Sequence, residues 1–201
     1  MKRAAGAGAP LAEMVRHEQA VVESRLMNPF PVAFWVLAAV TLFWTVGAYN
    51  RLVRLRNVIL HRFVPVDQQL ASRSALMQRQ LDTLAAQGGV PQRDVDALRA
   101  ARLQVDAAWE AARRRPGAVG AINSLRLALQ IQAQVRERLV AEPGAAPELD
   151  ALRTELAACD NALRFAQGQF NDAVLEYNAA VRQFPTGLLA AMFQFRSAMP
   201  L

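Results

Sequence analysis

Residues 149–184 read LDALRTELAACDNALRFAQGQFNDAVLEYNAAVRQF. Apolar side chains recur along this stretch at steps of three and four residues, the spacing that places them on one face of an α-helix. That face comprises Leu149, Leu152, Leu156, Cys159, Leu163, Ala166, Phe170, Val174, Tyr177 and Val181. Pro185 and Gly187 then interrupt the pattern. The stretch predicts a helix of about ten turns that ends near Phe184 and buries one stripe of side chains.

A second stripe of the same kind occupies residues 50–84. Its apolar positions are Leu52, Leu55, Ile59, Phe63, Val66, Leu70, Met77, Leu81 and Leu84. Arg73 stands at a stripe position, where a buried charge is costly unless it is paired. If the two long helices run antiparallel with residue 184 beside residue 50, Arg73 lies near Asp160 and Asn161. We therefore predict a polar contact there that fixes the register of the two helices.

Two shorter helices fill the middle of the chain. The first is predicted from near Pro91 to the Pro116-Gly117 pair, and the second from Val119 to Ala141. Their predicted buried positions are Val95, Leu98, Val105, Ala108 and Trp109 in the first, and Ile122, Leu125, Leu129, Val135 and Leu139 in the second. Alternating strand patterns are almost absent. The predicted fold is all-α: an elongated antiparallel bundle of about four helices, two of them long.

An uncharged stretch precedes the first long stripe. No residue from Met27 to Asn50 is charged, and the core of this stretch reads FPVAFWVLAAVTLFWTVGAY from residue 30 to residue 49. Twenty helical residues rise about 30 Å, the thickness of the hydrocarbon core of a bilayer. The aromatic side chains suited to anchoring it are Phe30, Trp35, Trp44 and Tyr49. The stretch predicts a single transmembrane helix over residues 29–49.

A cleaved signal peptide and the core helix of a soluble protein are the alternatives. The preceding stretch carries Glu13, Glu18 and Glu23, unlike a short basic leader, and the apolar run is longer than the hydrophobic part of a typical signal peptide. We therefore expect an uncleaved anchor. The expected order is a disordered or amphipathic segment (1–28), the anchor (29–49), a bundle (50–185) and an apolar tail (186–201). The tail either rests in the bilayer interface or packs on the end of the bundle.

Arginines concentrate in residues 51–62 and 99–115 of a chain whose net charge is +6. The basic residues that directly follow the apolar run are Arg51, Arg54, Arg56 and Arg62. They predict contact with anionic lipid headgroups, at about 1 kcal/mol per arginine, and favour a cytoplasmic bundle by the positive-inside rule. The second cluster closes a helix, where cations favour the negative end of the helix dipole. No nucleic-acid-binding motif accompanies either cluster, so we expect no nucleic acid partner.

Catalytic and metal-binding patterns are not found in the sequence. His17 and His61 lack metal-ligand partners at useful spacing, and there is no glycine-rich phosphate loop. Cys159 lies on an apolar stripe, which favours a core position over a nucleophile. We expect no enzymatic activity, no cofactor and no metal site.

Three segments resemble the LemA family. YNRLVRLRNV (49–58) and VDQQLASR (66–73) are similar to the start of that family's domain, and NALRFAQGQFNDAVLEYNAAVRQFPTGLLAAMFQF (161–195) is similar to its C-terminal signature. The positions shared with the family are Tyr49, Asn50, Arg56, Asn57, Asp67, Gln69, Leu70, Arg73, Asn161, Phe165, Ala166, Asn171, Asp172, Tyr177, Asn178, Phe184 and Pro185. We expect structural roles for them, with the tyrosine and asparagine side chains forming hydrogen bonds between the two long helices. The chain departs from the family pattern at Gln194, where glycine is common, at Phe170, where tyrosine is common, and after Arg73, where a proline-asparagine step is missing.

The resemblance implies a membrane-anchored helical bundle in a bacterial envelope and implies no reaction. We therefore expect a non-enzymatic interaction or scaffold module of the bacterial inner membrane. Its expected partners are the bilayer and an unidentified protein, and the pattern also allows a homo-oligomer. The alternative is a membrane-remodelling protein that acts through its anchor and its apolar tail.

Overall fold

The computed structural model describes residues 29–87, 90–140 and 147–201, without the side chains of residues 29, 30, 139 and 140. All the elements in these ranges are helices: α1 (Pro29–Gln87), α2 (Gln92–Arg114), α3 (Val119–Val140), α4 (Pro147–Arg182) and α5 (Thr186–Met192). The predicted all-α class is confirmed. The predictions for residues 1–28, and those for the side chains of Phe30 and Leu139, lie outside the described part of the chain.

Helix α1 begins in the uncharged stretch and continues into the first long stripe. Within the described residues it is the one helix that is long and apolar enough to cross a membrane. Its apolar part is exposed, with Trp35 at 70% and Phe43 at 78%. Thr41 and Thr45 donate their hydroxyls to the backbone carbonyls of Leu37 and Thr41 at 2.8 and 2.7 Å, so these polar groups are satisfied within the helix. The chain divides into two compact units between Gly47 and Ala48.

In the second unit, the two long stripes run antiparallel. Three polar pairs between α1 and α4 show the register: Arg62 with Gln169 (2.8 Å), Arg73 with Asp160 (2.7 Å) and Arg79 with Glu155 (3.5 Å). Along these pairs the residue number rises on α1 and falls on α4, as expected for antiparallel helices. The register is close to the predicted one, in which residue 184 lies beside residue 50. The predicted contact between Arg73 and Asp160 is present.

The two middle helices complete an up-down-up-down bundle. Helix α2 runs antiparallel to α1, as shown by the pairs Trp109 with Asp67 and Ser74 with Asp106. Helix α3 runs parallel to α1, since Gln132 accepts a hydrogen bond from Arg73 while Gly117, fifteen residues earlier, lies near Ile59. Four helices therefore surround the core, as the sequence predicts, and the buried side chains of that core form two clusters, one with Leu52 to Leu70 of α1 and one with Met77 to Leu84.

The stripes form that core. Every apolar position predicted on residues 50–84 is buried, and so is every one predicted on α4 except the half-buried Val181. Phe63 and Phe170 meet edge to face near the centre, with ring centroids 5.6 Å apart. On α2 and α3 the predicted faces are buried less completely, because Ala108, Trp109, Leu129 and Val135 are half-buried. Full burial of side chains such as Phe170 stabilises the bundle by about 1.5–3 kcal/mol each.

Candidate functional site

A buried polar cluster lies at the middle of the bundle. Arg73 is 5% exposed, and its Nε donates to Asp160 Oδ1 at 2.7 Å while Nη1 donates to Gln132 Oε1. Arg136 Nη2 donates to Asp160 Oδ2 at 2.7 Å. One carboxylate therefore shares its two oxygens between two guanidinium groups from different helices. The cluster joins α1, α3 and α4 and can act as a register lock, because a shift of any one helix separates buried charges.

The electrostatics of Asp160 follow from these contacts. Burial opposes its ionisation, but the hydrogen bonds and charges of Arg73 and Arg136 outweigh it and hold the pKa of Asp160 below its ordinary value. Next to it, burial and the Asp160 charge raise the pKa of the Cys159 thiol, with Arg73 acting in the opposite sense. Cys159 Sγ lies 3.5 Å from the carbonyl oxygen of Gln69, so the thiol sits in the core as the sequence predicts.

Two partners in this cluster are not among the sequence predictions. Gln132 is 1% exposed and Arg136 is half-buried. A signal for Gln132 exists in the sequence, since it continues the spacing of Leu125 and Ala128 on α3 in the way that Arg73 continues the α1 stripe. A polar residue at a stripe position on two helices indicates that the two side chains meet.

Asp67, another family position, joins α1 to α2. Its Oδ1 accepts the indole N–H of Trp109 at 2.7 Å and lies 2.9 Å from Arg113 Nε, while the Arg113 guanidinium lies 5.4 Å from the Trp109 ring centroid. Asn161 accepts a hydrogen bond from Arg164 on its own helix. Three other family positions, Asn50, Asn57 and Asp172, are exposed and make no side-chain hydrogen bond within the described residues.

Three further family side chains on α4, those of Asn171, Tyr177 and Asn178, bind the C-terminal tail. Asn178 pairs both ways with the backbone of Ala198 at 2.8 Å, and Asn171 pairs in the same way with Leu201 at 2.7 and 3.0 Å. Tyr177 donates its hydroxyl to the carbonyl of Arg196 at 3.0 Å. The prediction that these side chains join the two long helices is wrong: seven residues of spacing put both asparagines on one face of α4, and the extended tail supplies their partners.

The tail closes one end of the bundle. Phe193 and Phe195 contact Tyr49 edge to face, with centroids 5.2 and 5.8 Å apart, and Met199 donates its backbone N–H to Gly117 at 3.0 Å. Of the two placements expected for residues 186–201, packing on the bundle is the one that residues 195–201 adopt. The outer side of α5 and the residue after it stay exposed: Leu188 at 67%, Met192 at 67% and Phe193 at 47%.

Gln194 and Gly117 carry the backbone turns of this end. Gln194 has a φ of 57°, in the left-handed region that favours glycine, and this explains physically why glycine is common there in the resembling family. Gly117 has a φ of 86°, and a Cβ added to it would lie 3.2 Å from Ala198 Cβ. Gly117 therefore both turns the chain between α2 and α3 and leaves room for the tail.

The predicted basic side chains of α1 differ in their surroundings. Arg51 and Arg54 are exposed, Arg62 bonds to Gln169, and Arg56 lies near enough to Tyr177 to oppose the rise that burial causes in the pKa of that phenol. Among the described residues, no group of three or more His, Cys, Asp and Glu side chains is placed to hold a metal ion.

The fold and these contacts define a class of protein: a four-helix bundle whose first helix begins with an apolar stretch and whose tail is bound back onto the fourth helix. The sequence model of the LemA family matches residues 62–200, more than half of the chain, and the protein belongs to the LemA family. The match includes the tail as well as the bundle. Among curated proteins, none matches the chain at a significant level.

Proposed function

We propose that this protein is a non-enzymatic interaction module held on the bacterial inner membrane by a single span over residues 29–49. The observation that carries the proposal is the exposure of the apolar part of α1. In this part of the helix Trp35, Leu37 and Phe43 are all more than 60% exposed, whereas the stripe farther along the same helix is buried. Large apolar side chains without a protein partner are stable in hydrocarbon, and the backbone groups of a helix are satisfied there.

The bundle is proposed to lie in the cytoplasm. Arg51, Arg54 and Arg56 follow the apolar run closely, are exposed, and have no acidic residue among them in sequence. Positive charges next to a span favour the cytoplasmic side. The middle helices, rich in alanine and arginine, are the proposed surface for a protein partner, because α2 and α3 expose Leu103 and Leu127 between their polar residues.

The anchor is tested by flotation of the full-length protein with phosphatidylcholine vesicles, followed by alkaline carbonate washing. We expect the protein to stay with the vesicles after the wash. A matched variant with Leu37→Arg and Val40→Arg, two changes in the middle of the apolar run, is expected to be released. Release of the unaltered protein by carbonate would contradict the proposal.

Orientation is tested by fusions after Leu201. A reporter that fluoresces only in the cytoplasm is expected to be active, and a phosphatase that works only in the periplasm is expected to be inactive. The reverse pattern would place the bundle in the periplasm, and the search for a protein partner would move there.

Membrane remodelling is the second candidate function, and the apolar outer side of α5 favours it. Leu188, Met192 and Phe193 are exposed together at the end of the bundle that holds Tyr49. Replacing all three with serine changes none of the side chains that hydrogen-bond to the tail. Deformation of vesicles by the unaltered protein, and its loss in the triple serine variant, would favour remodelling over the interaction role.

A further inference from the structure

Two arginine clusters that are far apart in sequence meet in one groove. The groove has a volume of about 510 Å³. Arg56 lines it from α1, Arg114 and Arg115 from the end of α2, and Arg196 from the tail. Only the tail's return onto the bundle brings Arg196 to the other three.

The charge of the groove is one-sided. None of its lining residues is acidic. Arg114 lies 3.3 Å from Glu110, but within the described residues no carboxylate lies within 4.0 Å of Arg56, Arg115 or Arg196. Three guanidinium groups that face one cleft without carboxylate partners repel one another, and a bound anion removes that repulsion.

Apolar side chains border the same groove. Leu60 and Val119 line it and are 44% and 56% exposed, and Phe195 lines it while packing on Tyr49. A site for a free inorganic anion has no use for exposed apolar walls. A phospholipid offers both parts, because its phosphate lies directly beside its acyl chains.

The position in the chain favours the same ligand. Arg56 follows Gly47 by nine residues on one continuous helix, and Tyr49, which contacts the tail, follows it by two. Arg56 and Tyr49 thus belong to the part of the bundle that follows the apolar run directly in sequence. Anionic lipids attract basic residues at such places by about 1 kcal/mol per arginine.

We propose that this groove binds the phosphodiester headgroup of an anionic phospholipid, with Arg56, Arg115 and Arg196 as the binding residues. Each guanidinium presents paired N–H donors that match the oxygens of a phosphate. A lysine ammonium, in contrast, binds a phosphate as a point charge. The proposal rests on the membrane anchoring proposed above and adds a defined binding site for the anionic headgroups that the sequence predicts as partners. The arginines at the end of α2 were expected to interact with the negative end of the helix dipole, and in this proposal they also bind the lipid.

The test is native mass spectrometry of the full-length protein released from nanodiscs that mix phosphatidylcholine and phosphatidylglycerol. The readout is the phosphatidylglycerol fraction at which half of the protein retains this lipid. The variant R56Q/R115Q/R196Q is expected to raise that fraction at least about fivefold, which corresponds to the loss of about one arginine at an anionic surface. R79Q/R93Q/R99Q loses the same three charges from exposed sites elsewhere on the bundle and is expected to leave it unchanged.

Three outcomes would overturn the proposal: equal losses in the two triple variants, no loss in the groove variant, or displacement of the lipid by inorganic phosphate. Circular dichroism checks that both variants are folded, and the single variant R196Q repeats the test with one exposed side chain changed. Failure of the groove is distinguishable from failure of the anchor. Flotation with pure phosphatidylcholine reports the anchor alone, and the preference between two lipids reports the groove.

Discussion

The middle of the bundle and its tail-bearing end use arginine in opposite ways. In the middle, Arg73 and Arg136 share Asp160, and Arg102 lies 2.8 Å from Asp106. At the tail-bearing end, Arg56, Arg115 and Arg196 face a groove whose lining holds no acid. Paired arginines in the interior fix which helices meet and at what height. Arginines gathered without carboxylates contribute nothing of that kind, and their charge is available to a ligand.

The largest effect is expected from the middle. Asp160→Ala leaves the guanidinium of Arg73 buried beside Gln132 without a carboxylate. Removing one partner of a buried ion pair costs about 3–5 kcal/mol, because the other charge stays desolvated. We expect the free energy of unfolding of the full-length protein in detergent micelles to fall by that amount, as measured by circular dichroism.

A matched control is the exposed pair of the same two helices. Arg79 and Glu155 are 3.5 Å apart and have side chains 62% and 51% exposed. Glu155→Ala is expected to cost well under 1 kcal/mol, since water and salt screen such pairs. If Asp160→Ala proved as mild as Glu155→Ala, the cluster would not be a register lock.

Acid should weaken the same cluster. The pKa of Asp160 is lower in the folded protein than its ordinary value of 3.8, so the stability it contributes is fully present above about that pH. It is lost as the pH falls below that value and through the folded pKa. The difference in melting temperature between the unaltered protein and Asp160→Asn should therefore be constant from neutral pH to about pH 5 and shrink below pH 4. A difference that stays constant down to pH 2 would show that the pKa of Asp160 is not lowered by folding.

The fold and the register lock could be predicted from the sequence, and the groove could not. The stripes, the charged residue at position 73 and the matched lengths of the long helices fix which residues of α1 and α4 lie at the same height. The groove depends on where an extended tail lies, and such a segment carries no periodicity that points to its partners. Asn171 and Asn178 are visible as family positions, but an asparagine can bond to another helix as well as to a tail backbone. The position of Arg196 in the groove follows only from the bonding of these asparagines to the tail.

The attachment of the tail is expected to be weaker than the lock. Asn178→Ala removes both hydrogen bonds to the backbone of Ala198, a half-buried residue, at a cost of about 1–3 kcal/mol. We expect faster amide hydrogen exchange at residues 196–201 with little change near Arg73. Asp172→Ala, a change at an exposed neighbour, is the control and should leave exchange at the tail unaltered. If amide exchange at residues 196–201 were unchanged in Asn178→Ala, the side chain of Asn178 would not be needed to attach the tail.

A smaller effect, of opposite sign, is expected where the tail turns. Gln194 has a φ of 57°, and a side chain there costs about 1–2 kcal/mol relative to glycine. Gln194→Gly relieves that cost but frees the unfolded chain, so we expect a net gain of at most about 1 kcal/mol in the free energy of unfolding. Gly117→Ala, with a φ of 86° and a close approach to Ala198, is the matched change of opposite sign and should destabilise. A loss of stability in Gln194→Gly would mean that the glutamine side chain contributes more than its backbone costs.

The smallest effect on stability is expected in the groove, and its smallness separates the two uses of arginine. Arg115→Gln and Arg196→Gln remove exposed charges that have no carboxylate partner among the described residues. The free energy of unfolding should therefore change by no more than about 0.5 kcal/mol. Relief of repulsion should make any change in Arg196→Gln a gain, and added salt should reduce it because salt screens like charges. A clear loss of stability in either variant would show that these arginines hold the bundle together as those of the middle do. A residue whose removal leaves the fold intact but shifts the preference for anionic lipid is placed there for the ligand.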